Sequence, residues 1–323
     1  MPQFRIQHIT RYIYEDQVRD SANQIMLYPV NDEFQSVVQQ MLTITGNPVV
    51  DIHDDYYGNK VGTFTYAQPH REMVILSQVT VDTKEKSLPT DNDPPELHWS
   101  ELKKLRSDLE LIDFWQVERF SSISEVEKIV NDELGKNRSV LEVAKHFNKY
   151  VYDTFTYKKG ITTVETTLSE IWTLRSGVCQ DFAHFLLAIL RLVGIPSRYV
   201  SGYICPNKSG MRGEGATHAW VEVYVPFYGW LGLDPTNNCI VNEQHVKLAV
   251  GKDFSDCSPV KGTYRGTSNH TLDVGVSVTY EDGKKSNAGP GQESSPQFET
   301  TVTEVTSTYQ NSFRKYQEMQ MQQ

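Results

Sequence analysis

The chain has 323 residues, 38% hydrophobic and 22% charged, which is the composition of a folded protein with room for more than one core. A formal net charge of −10 and a pI near 5.4 exclude a broad basic surface for nucleic-acid phosphates. No stretch approaches the roughly 18 apolar residues needed to cross a bilayer. The first residues carry Arg5 and Arg11 among alternating apolar positions and lack a signal-peptide core, so a cytoplasmic protein with no membrane partner is expected.

From Phe4 to about Asp82 the chain is a succession of β-type runs: FRIQHITRYIY, SANQIMLYPV, VVQQMLTIT, GTFTYA and REMVILSQVTVD. Their period-two alternation is broken at Gly46-Asn47-Pro48 and Tyr57-Gly58-Asn59, which predicts an all-β, sandwich-like N-terminal domain over residues 1–87. Residues 88–100 hold three prolines and several acids and read as a linker.

Beyond it the period becomes helical. Ser124 followed by Glu127 reads as a capping box ahead of EVEKIVNDELG, and SVLEVAKHFNKYVYDTF predicts a second helix. A third follows SGVCQ, with Val178, Phe182, Phe185, Leu186, Ile189 and Val193 on one stripe that stops at Gly194-Ile195-Pro196. Three strands come next: SRYVSGYIC, THAWVEVYV and GWLGLD. Helices followed by strands indicate an α+β core over residues 101–283, with Asp273–Tyr280 as its last strand. Residues 284–323, rich in Ser, Gly, Gln and Thr, read as a flexible tail.

Cys179, Cys205, Cys239 and Cys257 are widely separated and form no CxxC pair, so reduced thiols are expected rather than a zinc knuckle or a disulfide scaffold. Cys179 falls in the first turn of the third helix. The free amides and positive dipole end there favour a thiolate, and Gly177 clears the approach to sulfur. The other three read as structural. A thiolate nucleophile needs an acid–base partner. His218 lies on the face of Thr217–Val225 that also carries Trp220 and Glu222, opposite the aliphatic face. His184, its rival, is five positions past Cys179, about 140° around the helix and more than one turn away. Asp234 ends the run GWLGLD before Pro235, on a strand that Tyr228-Gly229 would turn alongside that of His218, where it could orient the imidazole.

SGVCQDFAHFLLAILRLVGIPSRYVSGY and THAWVEVYVPFYGWLGLDPTNN closely resemble the motif blocks of the transglutaminase-like superfamily. The β region and AVGKDFSDCSPVKGTYRG are similar to its bacterial two-domain subfamily, in which an all-β domain precedes the catalytic core. The resemblance implies a papain-like Cys-His-Asp fold with Cys179 as nucleophile, His218 as general base and acid, and Asp234 as the orienting residue. By analogy with related thiol enzymes, a second oxyanion donor beside the Cys179 amide is expected, for which Tyr157 and Trp172 are candidates, as donor or as pocket wall. The chain has no EF-hand-type DxDxDG loop and none of the paired CxxC zinc motifs of peptide N-glycanases, so neither a metal nor another cofactor is expected. The implied activity is acyl transfer from amide or peptide carbonyls of a peptide or protein substrate, as a cysteine peptidase or amidohydrolase. The alternatives are a protein-glutamine amine transferase and a non-catalytic binding module that retains the fold.

Overall fold

The structure, a computed structural model, describes residues 1–90, 92–135, 137–205, 211–213, 216–266 and 269–280, and the backbone of 297–303. The N-terminal region contains β1 (Gln3–Ile25), β2 (Gln35–Ile44), β3 (Asp51–Asp54), β4 (Lys60–Tyr66) and β5 (His70–Thr83). Phe4, Ile6, His8 and Thr10 are buried with period two, and the first half of β1, Gln3–Ile13, pairs with β5 on one side. The register slips between Ile13 and Val18, and Asp20 adopts φ 50°. Beyond that bend Ser21–Ile25 pairs with β4. One curled strand therefore serves two sets of neighbours, and the irregularity that bends it also breaks the alternation that made it read as two runs.

The middle of the chain holds α1 (Pro95–Lys104), α2 (Ile123–Glu133), α3 (Val140–Thr154), β6 (Thr156–Tyr157), α4 (Leu168–Leu174), β7 (Ser176–Gly177) and α5 (Cys179–Val193). After α5 come β8 (Ser197–Ile204), β9 (Thr217–Val225), β10 (Gly229–Asp234), β11 (Cys239–Ile240) and β12 (His245–Gly251). These last five form an antiparallel sheet in the order β11-β10-β9-β8-β12. α5 lies between this sheet and the other helices: Phe182, Phe185, Leu186 and Ile189 of its apolar stripe are all buried, Phe182 and Phe185 against Phe155 and Phe185 against Trp172, and Gly194 at φ 86° stops the helix in the left-handed conformation. The fold is α+β, an antiparallel β region joined to a helix-on-sheet core.

Several boundaries differ from the sequence reading. The linker is shorter than residues 88–100, because Pro94-Pro95 opens α1, with proline at the first helical positions where its missing N–H costs nothing. The Ser124–Glu127 box is not formed: α2 begins at Ile123 with Ser122 at its N-cap, which places Ser124 inside the first turn. Working boxes are Ser139–Glu142 on α3 and Thr167–Glu170 on α4. After β12 the chain forms β13 (Val260–Arg265), β14 (His270–Tyr280) and β15 (Gln297–Thr303). The last strand of the expected core, β14, returns to the N-terminal sheet and pairs with β1 from Phe4 to Tyr14, while β13 pairs with β1 from Arg19 to Ile25. Val276 and Val278 join the same buried cluster as Phe4 and Ile6. Alternation marks a strand but not the sheet it will complete. Within the expected tail, 297–303 pairs with β14, and the rest of 284–323 lies outside the described residues.

The β region grips the free edge of the core sheet. The Gln35 side chain donates to Lys247 O and accepts from Lys247 N, both at 2.8 Å. Asn59 does the same for Val250, at 2.7 and 2.8 Å. Two side-chain amides thus stand in for a neighbouring strand along β12. Replacing Gln35 by leucine should orphan Lys247 N–H and Val30 O, since Lys247 O keeps Val30 N–H, and replacing Asn59 should orphan Val250 N–H and O, each variant at a cost on the order of 2 kcal/mol. Urea unfolding measures it, and an unchanged midpoint in both variants would show the edge to be held by other contacts.

Candidate active site

The peptide leading into α5 is fixed from two sides. Thr156-Tyr157 and Ser176-Gly177 run as a short parallel pair, and Lys158 N–H donates to Gly177 O at 2.8 Å. The Asp181 carboxylate accepts from Val178 N–H and from the Thr162 hydroxyl, both at 2.7 Å. A Cβ on Gly177 would run into that carboxylate, so glycine is required there. Cys179 consequently sits, partly buried, at the first position of a 15-residue helix. The first-turn amides of a helix have no intrahelical acceptors, so the start of α5, where Cys179 sits, offers N–H groups that can receive an oxyanion.

β9 and β10 bring the other two residues in. His218 Nε2 bonds Asp234 Oδ2 at 2.8 Å, and both side chains are fully buried. The polar face of β9 is therefore an interior face: Trp220 and Glu222 are buried beside His218, the carboxylate held to about 2 against the upward push of burial by Lys247 and Arg198. Burial alone would lower the His218 pKa. Asp234 first and Cys179 second overcome it, pushing the imidazole up to about 10. Nδ1 of His218 is buried without a conventional hydrogen bond, which leaves it as the nitrogen for Cys179. Gly213, at φ 81°, lies over it, and a Cβ there would stand 3.0 Å from Nδ1.

Asp234 ends β10 in a cage of donors. Oδ1 accepts from Thr236 N–H at 2.8 Å and Asn237 N–H at 3.2 Å, and Oδ2 from Asn237 Nδ2 at 2.7 Å as well as from His218. A second imidazole, His245 at the start of β12, reaches the same oxygen at 3.3 Å. Burial would raise the Asp234 pKa, but His218 and His245 together hold it far below the carboxylate range. Ligand-type atoms of His218, Asp234 and His245 lie within 4.8 Å of one another, and the shared hydrogen bonds account for that spacing.

The structure thus assembles Cys179, His218 and Asp234 in one place. Tyr157 stays next to the nucleophile through its pairing with Gly177. Trp172 does not reach the site: its Nε1 donates to Glu125 Oε2 at 2.9 Å, its ring stacks on Phe185 and Arg175 covers it, so no oxyanion donor remains. His184 is half-buried, with its pKa lowered to about 4 by loss of solvent around the ring, and it accepts from Phe254 N–H at 3.1 Å, a structural role. Asp181, Asn237 and His245 are site residues absent from the sequence reading. Asp181, two residues past the cysteine, had a helix-capping signal, and Asn237 follows Asp234 in a turn. Nothing in the sequence pointed to His245.

A thiol at a helix N-terminus facing a buried His–Asp pair from an antiparallel sheet defines the papain-like class of thiol sites. The chain belongs to the transglutaminase-like superfamily: residues 128–235 match the model of that superfamily's core, and residues 4–82 match the bacterial transglutaminase-like N-terminal region. An uncharacterized protein of Mycobacterium leprae is 30% identical over 282 residues, 86% of this chain and 99% of that protein. One of Mycobacterium tuberculosis is 33% identical over 293 residues, 87% and 93% of the two chains. A protein-glutamine gamma-glutamyltransferase of Pseudomonas aeruginosa is 34% identical over 138 residues, 38% of this chain and 20% of that protein. Among solved structures, a Cytophaga hutchinsonii protein provisionally named a cysteine protease shares the fold, with a TM-score of 0.70 at 20% identity over 94% of this chain and 98% of that one.

Proposed function

We propose that the protein is a thiol-dependent acyl-transfer enzyme acting on amide or peptide carbonyls of peptide or protein substrates, with hydrolysis as its main outcome. The observation that supports this reading is the alignment of a helix-start thiol, Cys179, with an imidazole that Asp234 keeps protonated. The Cys179 thiolate attacks the carbonyl carbon, and the oxyanion is received by the first-turn amides of α5. The intermediate collapses, and the leaving amine takes the His218 proton as the C–N bond breaks. Water, giving a proton to the now neutral His218, then attacks the thioester, and collapse of that intermediate releases a carboxylic acid and restores the Cys179 thiolate beside protonated His218.

The partial similarity to a protein-glutamine gamma-glutamyltransferase favours one second reading, in which a primary amine replaces that water. Turnover of peptide and glutamine-amide libraries, with and without a primary amine, separates the two. Acid and ammonia or a new amino terminus are expected in both conditions, whereas amine incorporation would identify the transferase. Equal signals from the protein and its Cys179→Ala variant would reject both readings.

A further inference from the structure

We infer that His245 is a positioning residue of this site, which shares Asp234 Oδ2 with His218 and so limits how tightly the carboxylate holds the His218 proton. The inference rests on the thiol–imidazole reading above. His245 is fully buried, with Nε2 3.3 Å from Oδ2 against 2.8 Å for His218. Nδ1 lies 3.2 Å from Asn242 Oδ1 and 3.4 Å from Asn242 N, while Nε2 faces the Asp234 carboxylate, which can only accept, so Nε2 carries the hydrogen that donates to Asp234. Trp220 holds the ring edge-on at 5.3 Å between centroids.

The carboxylate does not need this donor to be satisfied. Two backbone N–H groups, the Asn237 amide and His218 already fill both oxygens, and His245 makes a third contact on Oδ2. A third donor withdraws electron density from the bond to His218 and blocks rotation of the carboxyl group. The register of His245 is set from outside the core, since Thr83 of β5 donates to Glu243 O at 2.7 Å and Gln35 brackets Lys247. The N-terminal β region therefore contributes to the alignment of Asp234 through β12. Among the described residues, the titratable groups facing His218 are Cys179 from α5, Asp234 from β10 and His245 from β12. Arg212, beside Gly213, carries its charge onto the Tyr152 ring.

The rate of Cys179 alkylation by iodoacetamide, followed from pH 5 to 12 in the full-length protein, reports loss of the His218 proton as its upper transition. In His245→Leu that transition should rise by about 0.5–1 pH unit, a three- to tenfold tighter proton. His245→Gln, which keeps a donor near the Nε2 position, should restore the parental curve. A merely structural role would lower the melting temperature of His245→Leu and leave the transition in place, and that result overturns the inference. His245→Met carries the same test if the leucine variant does not fold. If Cys179 in the parent reacts no faster than the other thiols, the thiol–imidazole reading itself fails; if it does and the curves of parent and variant coincide, only the role of His245 falls.

Discussion

Changing His218 to alanine is expected to abolish the preferential alkylation of Cys179. At pH 6 an ordinary thiol with a pKa near 8.5 is only about 0.3% ionised, so a fully formed thiolate–imidazolium pair enhances the rate by up to about 300-fold. His218 keeps its proton up to about 10 beside Asp234 and Cys179, so a cation stands beside the sulfur throughout this range. The other thiols supply an internal reference. Cys205 and Cys257 are buried, and burial pushes both well above the thiol range; burial and then Asp234 push Cys239 up to about 12. Iodoacetamide followed by peptide mapping should therefore mark Cys179 first in the parent, with a loss of one to two orders of magnitude in His218→Ala. Amide turnover should fall further, by about 10²–10⁴, because the same ring protonates the leaving amine. Uniform labelling of all four cysteines in the parent would sink the assignment of the nucleophile.

Asp234→Asn should lower turnover by a comparable 10²–10⁴, because an amide can hold the wrong tautomer of His218 and cannot stabilise its cation. The same substitution has a signature in stability. The folded-state pKa of His218 is raised from 6.5 to about 10, so the stabilisation by the pair is complete below about pH 6.5 and is lost as pH rises through 10. Its size is on the order of 3–5 kcal/mol at neutral pH. On the acid side the pair persists until pH drops far below the ordinary carboxylate range, because His218 and His245 depress the Asp234 pKa against the upward effect of burial. The melting-temperature gap between parent and Asp234→Asn should thus be widest between about pH 5 and 7 and narrow towards pH 10. A smaller, pH-independent part will remain, since the asparagine amide cannot accept from all the N–H groups that Asp234 satisfies. A gap of constant width from pH 6 to 10 would contradict the ion pair.

The features legible in the sequence are those encoded within a few residues. The α5 stripe ending at Gly194, the alternation of β9 and the stop of β10 at Asp234-Pro235 each follow from local periodicity and turn chemistry, and they placed Cys179, His218 and Asp234 on a helix start, a strand face and a strand end. Trp172 shows the limit of such reasoning. Its position before the nucleophile suggested a pocket, but an indole that stacks on Phe185 and donates to Glu125 is core, and no spacing rule distinguishes the two.

By itself, then, the sequence determined an α+β chain with a β-rich start, and a thiol, an imidazole and a carboxylate on elements suited to meet. Only the tertiary structure decided which sheet β14 completes, that the polar face of β9 is buried, and that His245 shares Asp234 with His218. The physical reason is range. Helix and strand periodicity is a property of neighbouring residues, whereas the completion of a sheet edge and the sharing of one carboxylate oxygen depend on segments that meet only when the cores pack.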